Sequence, residues 1–269
     1  MKNPKAARLT KQGSRRFPDR VDPIVDQSER DFLATYDPSA FPHPSVTVDV
    51  ALISITHQKL TTFVVRRTEY PQRGSWALPG GFVRFSESLD AAAARVLSTK
   101  AGLRNVFLEQ LYTFGEPGRD PRTRIITVAY YALVNVDRFM AADSESGRPI
   151  EAWIDVPWEG EAGGPVDVAD TSGAPLELAF DHADILGMAV KRLRGKLDYT
   201  PIGFQLLPDT FTLRQLQEVH ETILGRRLNK DSFRRRMLAS GLLKGTGKRQ
   251  DEVGHRPAEL FRFVKGAAV

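Results

Sequence analysis

The sequence predicts two folded parts, an α/β or α+β sandwich followed by a winged helix-turn-helix. Three observations carry that expectation. Apolar residues alternate from Val46 onward, a capped amphipathic helix follows the glycine pair Gly80-Gly81, and beyond residue 200 the pattern becomes helix, turn, helix and β-hairpin.

Residues 1–44 carry charges and prolines with little periodicity beyond a patch at Phe32, Leu33 and Tyr36, and read as a basic extension rather than a domain. Val46, Val48, Val50 and Leu52 alternate as strand residues do, and KLTTFVVRR forms a second strand after a turn at His57-Gln58. The loop TEYPQRGSWALPGG leads into a helix over 88–101 whose core face is Leu89, Ala93 and Leu97. RIITVAYYALVNV is a third strand, with Ile126, Val128, Tyr130, Ala132, Val134 and Val136 on one face. Residues 139–176 are rich in Gly, Pro, Asp and Ser and read as loops around a short strand at EAWIDV. DHADILGMAVKRLRGKL is an amphipathic helix with Ile185, Ala189 and Leu193 on one stripe. Lys191, Arg192, Arg194 and Lys196 fill its last turn, where cations suit the helix dipole. Asp181 is placed to cap that helix; a catalytic use of Asp181, His182 and Asp184 is the other reading. These elements place the sandwich at 45–199 and the second domain at 200–269.

In the second domain, Thr212 and Gln215 form a capping box, and Leu213, Leu216, Val219 and Ile223 mark the inner face of its helix. Gly225 ends it. Asn229 caps the next helix, KDSFRRRMLAS, which stops at Gly241, and the remainder reads as strand, basic turn and strand. With Phe233 and Met237 inward, 100° per residue puts Arg235 at about 200° and Arg236 at about 300°, with Ser232 and Ala239 between them. That outward face suits the major groove. Arg234 at the flank and Lys230 at the helix start suit phosphates. Lys244, Lys248, Arg249, His255 and Arg256 of the hairpin add a second basic element beside the first. A solvated basic face is the alternative, and exposed Phe261 and Phe263 would have favoured RNA, but their alternation places them in a core.

Composition removes several function classes. The chain has no cysteine, which excludes disulfides, thiol nucleophiles and thiolate metal sites. No run approaches the roughly 18 apolar residues of a membrane span, and the basic N-terminal stretch has no apolar segment behind it, so a cytoplasmic protein without membrane contact is expected. The net charge of +5 is unevenly spread. Residues 1–20 hold seven Lys/Arg against one acid and residues 201–269 thirteen against seven, while 21–200 are acidic with eighteen against twenty-five. Basic ends on an acidic body fit a polyanionic partner at the ends; a solvated tail is the bland account of the first.

Gly81, Glu87, Arg95 and Gly102-Leu103 stand at the spacing of the Nudix box, and WALPGGFV before them resembles the strand and loop that enter it. Hydrolases of that family carry acids at the positions held here by Val96, Thr99 and Lys100, which lie at i, i+3 and i+4 on one helix face. Such carboxylates hold the cation that bridges a pyrophosphate. With all three replaced, the expectation is no catalytic residue, no metal and no cofactor, with Glu87 and Arg95 paired to hold loop against helix. Together with EQLYTFGEPGRDPRTR, LAFDHADIL, YTPIGFQLLPDTFTL, FRRRML and RPAELFRF, the chain resembles the Nudix-related transcriptional regulator (NrtR) family. That resemblance implies an α/β/α sandwich with a mixed sheet and a homodimer on a palindromic double-stranded DNA operator. It also implies repression of NAD biosynthesis and salvage genes, and a small-molecule effector, ADP-ribose or NAD-like.

For that effector, GRDPRTR supplies Arg119, Arg122 and Arg124, since guanidinium groups meet pyrophosphate bidentately. Trp76, Tyr112 and Phe114 are candidates to stack on an adenine, each with an alternative place in the core. Arg67, Gln110, Gly80 and Gly81 complete the candidate pocket. The competing reading is an active ADP-ribose or sugar-nucleotide pyrophosphohydrolase with an appended nucleic-acid-binding domain. It needs carboxylates outside the box, such as Glu109 or Glu116.

Overall fold

The computed structural model describes residues 26–137, 149–250 and 257–264. They fall into two units, one ending at His43 and one beginning at Pro44. In the first, Asp26 accepts the Glu29 N–H and starts helix α1 (Gln27–Thr35), none of whose residues is buried. Phe32, Tyr36 and Phe41 form a chain of ring contacts there, with centroids 5.6 and 6.2 Å apart.

The second unit is organised by β1 (Ser45–Thr56), whose residues 47–54 are all buried. It turns through His57 and Gln58, both at positive φ (48° and 59°), into the antiparallel β2 (Lys59–Arg66). On its other side β1 runs parallel to β6 (Ile125–Leu133), which pairs antiparallel with β5 (Phe107–Phe114). Beyond β2 lie β7 (Ile150–Asp155) and β8 (Asp167–Asp170), giving the order β5-β6-β1-β2-β7-β8. Two short strands, β3 (Trp76–Ala77) on β2 and β4 (Gly80–Phe82) on β1, complete a mixed sheet.

A strand buried on both faces alternates between two layers rather than between core and water. Val48, Val50 and Leu52 meet Ala92, Ala93, Val96 and Leu97 of α2 (Leu89–Ala101). Ala51 and Ile53 meet the opposite layer, where Ile185, Leu186, Ala189 and Leu193 project from α3 (His182–Lys196). Each such fully buried Leu or Ile contributes about 1.5–3 kcal/mol. The result is the α/β/α sandwich with a mixed sheet, and the α+β alternative falls away.

After a 3-10 turn at Pro201–Leu206, the capping box of Thr212 and Gln215 forms on α4 (Leu213–Leu224), and Gly225 closes it at φ 67°. Asn229 accepts the Ser232 N–H to start α5 (Lys230–Ala239), and β9 (Leu243–Arg249) pairs with β10 (Glu259–Phe263) as the wing. Phe204, Phe211, Leu213, Leu216, Phe233, Met237 and Phe261 form its core, and Phe263 stacks on Phe204 at 4.6 Å. Helix α4 serves two cores, because Val219 and Ile223 join the layer beneath α3. Arg194 stands in the last turn of α3 as expected, and it is buried there. Its Nε donates to Ile223 O at 2.8 Å and its Nη1 to Gly160 O at 2.8 Å, with the guanidinium 4.7 Å from the Trp158 ring.

Candidate functional site

The ends of β1, β2 and β4, the last turn of α2, the 119–122 loop and the start of α3 enclose a cavity of about 410 Å³. Its floor is Asp49, the single charged residue of β1. The register pairs Asp49 with Gly80, and a Cβ at Gly80 would lie 1.9 Å from Asp49 Oδ1, so only glycine lets β4 approach this closely. Thr127 Oγ1 donates to Asp49 Oδ2 at 2.7 Å, while Arg119 Nη2 and His182 Nε2 stand at 3.8 and 3.7 Å from the carboxylate. His182 Nδ1 accepts the Leu78 N–H at 3.0 Å, which places the ring proton on Nε2, toward Asp49. Burial holds the His182 pKa below its ordinary value against the pull of Asp49 and Asp181.

Five cationic side chains (Arg66, Arg67, Lys100, Arg119 and Arg122) line the cavity against three carboxylates (Asp49, Glu69 and Asp120). Arg119 Nε and Nη2 grip both oxygens of Asp181 at 2.8 and 2.5 Å. Arg122 grips Asp120 the same way at 3.0 and 2.8 Å, and that bond keeps the Asp120 carboxyl below the usual carboxylate range. Arg67 donates Nε to Pro71 O at 3.0 Å and lies 4.7 Å from the Phe180 ring centroid. The lining thus carries more cationic than anionic side chains, a balance that favours an anion over a cation.

Of the residues expected at the pocket, Arg67, Gly80, Gly81, Arg119 and Arg122 line this one cavity. Trp76, Gln110 and Tyr112 do not. Trp76 packs half-buried against the core beneath α3, in the alternative place its apolar surface allowed. Gln110 and Tyr112 are exposed on the edge strand β5, where a register shift lies between them and Tyr112 meets Phe114 edge-on at 5.5 Å. Asp181 stands at the start of α3 but caps no helix N–H; its oxygens belong to Arg119. Asp49, Asp120 and Phe180 line the cavity unforeseen, and His182, which the sequence offered only as part of a catalytic trio, lines it with them. The one usable signal was the lone acid among the valines of β1.

The box helix is held as its pair implied. Arg95 donates Nε to Glu87 Oε2 at 2.9 Å and Nη2 to Phe82 O at 3.0 Å, while Glu87 Oε1 accepts the Arg84 N–H at 2.9 Å. The hydrogen bond from Arg95 pulls the Glu87 pKa from 4.5 to about 2. Val96 is buried in the α2 core, Thr99 Oγ1 bonds back to Arg95 O at 2.9 Å, and Lys100 reaches the cavity.

On the winged helix, Phe233 and Met237 face inward, and Lys230, Ser232, Arg234 and Arg235 are exposed. Arg236 is exposed too, with Nη1 3.5 Å from Asp198 Oδ1 beyond the end of α3. Lys244, Lys248 and Arg249 are exposed on β9; His255 and Arg256 lie outside the described residues.

Two family models match the chain, the NUDIX domain at residues 44–160 and the NrtR DNA-binding winged helix domain at 203–263. The ADPR responsive transcriptional repressor NtrR of Acinetobacter baylyi is 39% identical over 239 residues, covering 88% of this chain and 89% of its own. The crystal structure of Shewanella oneidensis NrtR complexed with a 27mer DNA superposes with a TM-score of 0.65 at 31% identity, over 81% of this chain and 93% of that one. An ADP-ribose pyrophosphatase of Methanocaldococcus jannaschii is 27% identical over 144 residues, 54% of this chain and 72% of its own.

Proposed function

The chain belongs to the NrtR family of transcriptional regulators, and from that premise we propose a cytoplasmic ADP-ribose-responsive repressor of NAD biosynthesis and salvage genes. ADP-ribose or a related NAD metabolite occupies the cationic cavity of the sensing domain, 45–199. The exposed face of α5 and the wing, in the DNA-binding domain 200–269, meet a palindromic operator as a homodimer. The observation that carries this reading is the presence, in one compact unit, of an anion-receiving cavity and a separate exposed basic helix face.

Helix α3 supplies the physical link between them. Its first residue, His182, lines the cavity, and its Arg194 bonds Ile223 O near the end of α4. At 1.5 Å per residue the helix spans roughly 22 Å, a rigid element that both sites bias. Ligand and DNA therefore change each other's affinity by the same factor. Operator titrations with and without saturating ADP-ribose test this. A metabolite that binds the protein yet leaves operator affinity unchanged rules out the sensor role.

The reading includes the absence of hydrolysis. A divalent cation on the box helix needs oxygen donors, and the positions offer a buried valine, a hydroxyl turned back on its own helix and an ammonium. Glu87 is held by Arg95. Among the described residues no three His, Asp or Glu side chains gather as a ligand set. Glu109, which the hydrolase reading required, is bound to Lys196 Nζ at 2.5 and 2.7 Å, and neither it nor Glu116 lines the cavity. Incubation with ADP-ribose and magnesium is expected to release no AMP; robust metal-dependent release overturns this part of the reading. Among the described residues no helix is long and apolar enough to cross a membrane.

A further inference from the structure

We propose that the seam where the end of α3 meets the winged helix holds a second small-molecule site, which takes a free α-amino acid with a side chain the size of one aromatic ring. The proposal is independent of which anion fills the first cavity. The seam encloses about 180 Å³ where Leu197–Thr200 and the 3-10 turn at Pro201–Leu206 face α4 and α5. Its walls are largely apolar: Leu197, Phe204 and Met237 are buried, with Pro201 and Leu242 beside them. A cavity of roughly 150 Å³ with apolar walls takes a benzene ring, so the seam suits one ring and not a nucleotide.

Most polar groups of this lining are already engaged. Thr200 Oγ1 donates to Lys196 O at 2.7 Å. Ser240 Oγ donates to Met237 O at 2.7 Å and accepts the Leu242 N–H at 3.2 Å. His220 is fixed edge-on to Phe233 at 5.1 Å, and its Nδ1 has no hydrogen-bond partner among the described residues. Gly203 lets the turn approach that ring, since a Cβ there would stand 3.3 Å from His220 Nε2. Burial keeps the ring uncharged at neutral pH, so it adds an aromatic surface and no second cation.

What remains is one loose ion pair. Arg236 Nη1 stands 3.5 Å from Asp198 Oδ1, with the two side chains 50% and 71% exposed. At that distance and exposure the pair contributes little. Beyond its approach to the Phe233 ring at 5.7 Å, Arg236 makes no other contact of this kind among the described residues. The lining therefore offers one cation and one anion side by side, next to an apolar space. A simple carboxylate meets the repulsion of Asp198 there, and a simple amine that of Arg236. A zwitterion meets neither. The carboxylate and ammonium of an α-amino acid share one carbon, so the first can receive Arg236 donors while the second faces Asp198. Its side chain then enters among Phe204, His220 and Met237, where a ring gains aromatic and sulfur contacts.

Calorimetric titration of the full chain with L-phenylalanine, 3-phenylpropionate, phenethylamine and glycine tests the proposal. Phenylalanine is expected to bind, and the two single-charge analogues and glycine to bind about tenfold or more weakly. Arg236→Met and Asp198→Asn should each cost phenylalanine about tenfold in affinity. Both side chains are exposed, so each variant should melt close to the wild type. In Arg236→Met, phenylalanine should bind no better than phenethylamine, because its carboxylate has lost its partner. An absence of phenylalanine binding overturns the proposal outright. Wild-type affinity for phenylalanine in either variant would place the ligand elsewhere, and equal affinity for 3-phenylpropionate would mean that the paired charges are not read; each sinks it. A chain that binds no ADP-ribose can still pass this test, so the two readings fail separately.

Discussion

Arg119 and Arg235 carry the same guanidinium in opposite surroundings. The Arg119 side chain is 4% exposed and holds both oxygens of Asp181, with Asp49 beyond. Arg235 stands in solvent on the outer face of α5, while Phe233 and Met237 on the inner face hold that helix to its core. A buried arginine must bring its counter-charge with it, so the carboxylates that pair it become part of the architecture. An exposed arginine on a rigid helix keeps its charge available for a partner that arrives later. The first region is built to be stable, and the second to be incomplete until it binds.

Removing the charge from each region is the sharpest way to break that contrast. Arg119→Ala leaves Asp181 unpaired beside Asp49 and is expected to destabilise the fold by about 3–5 kcal/mol, read from urea unfolding. A loss under about 1 kcal/mol would mean that the pair behaves as a surface ion pair and that the contrast is overstated.

Among its described residues the winged helix holds an exception, a buried ionisable ring. His220 packs edge-on to Phe233 at 5.1 Å, and burial, aided by the charge of Arg236 and opposed by Asp198, pushes its pKa from 6.5 down to about 4. The folded value lies below the unfolded one, so the folded state resists the proton. Stability from this group is complete above pH 6.5 and is lost as pH falls toward 4. The expected loss over that window is about 3 kcal/mol, and a His220→Leu chain should lack that part of the slope in unfolding titrations.

Arg235→Ala should leave stability within about 0.5 kcal/mol of wild type and weaken operator binding by about 1–3 kcal/mol, with flatter discrimination against random duplex. Equal weakening on every duplex would reassign Arg235 to the phosphates. Lys248→Ala carries the smallest effect. It should weaken all duplexes alike and make the log–log salt slope shallower by about 0.9, measured by anisotropy over a salt series.

Most of the fold could be read before any coordinate, because the signals that carry it are local. Ser88, Thr212 and Asn229 each cap a helix through an N–H three residues ahead, and Gly102 and Gly225 end helices in the left-handed conformation. The alternation from Val46 marked β1, and the Glu87–Arg95 pair lies within one loop and helix. Strand β5 escaped notice. It is an edge strand with a register shift at Gln110/Tyr112, and its mostly half-exposed side chains give little period-two contrast.

The sequence by itself determined the sandwich followed by a winged helix, the caps at Ser88, Thr212 and Asn229 and the inward face of α5, since each depends on neighbours a few residues apart. Only the tertiary structure decided which charges are spent. Arg119 and Asp181 are 62 residues apart, Arg194 and the Ile223 carbonyl 29, and Asp49 and the Thr127 hydroxyl 78. Nothing in residue type or spacing showed that Arg119 would spend its guanidinium on Asp181 or Arg194 on the Ile223 carbonyl. That choice follows from burial, which removes water as a partner and obliges each charge to find another across the fold.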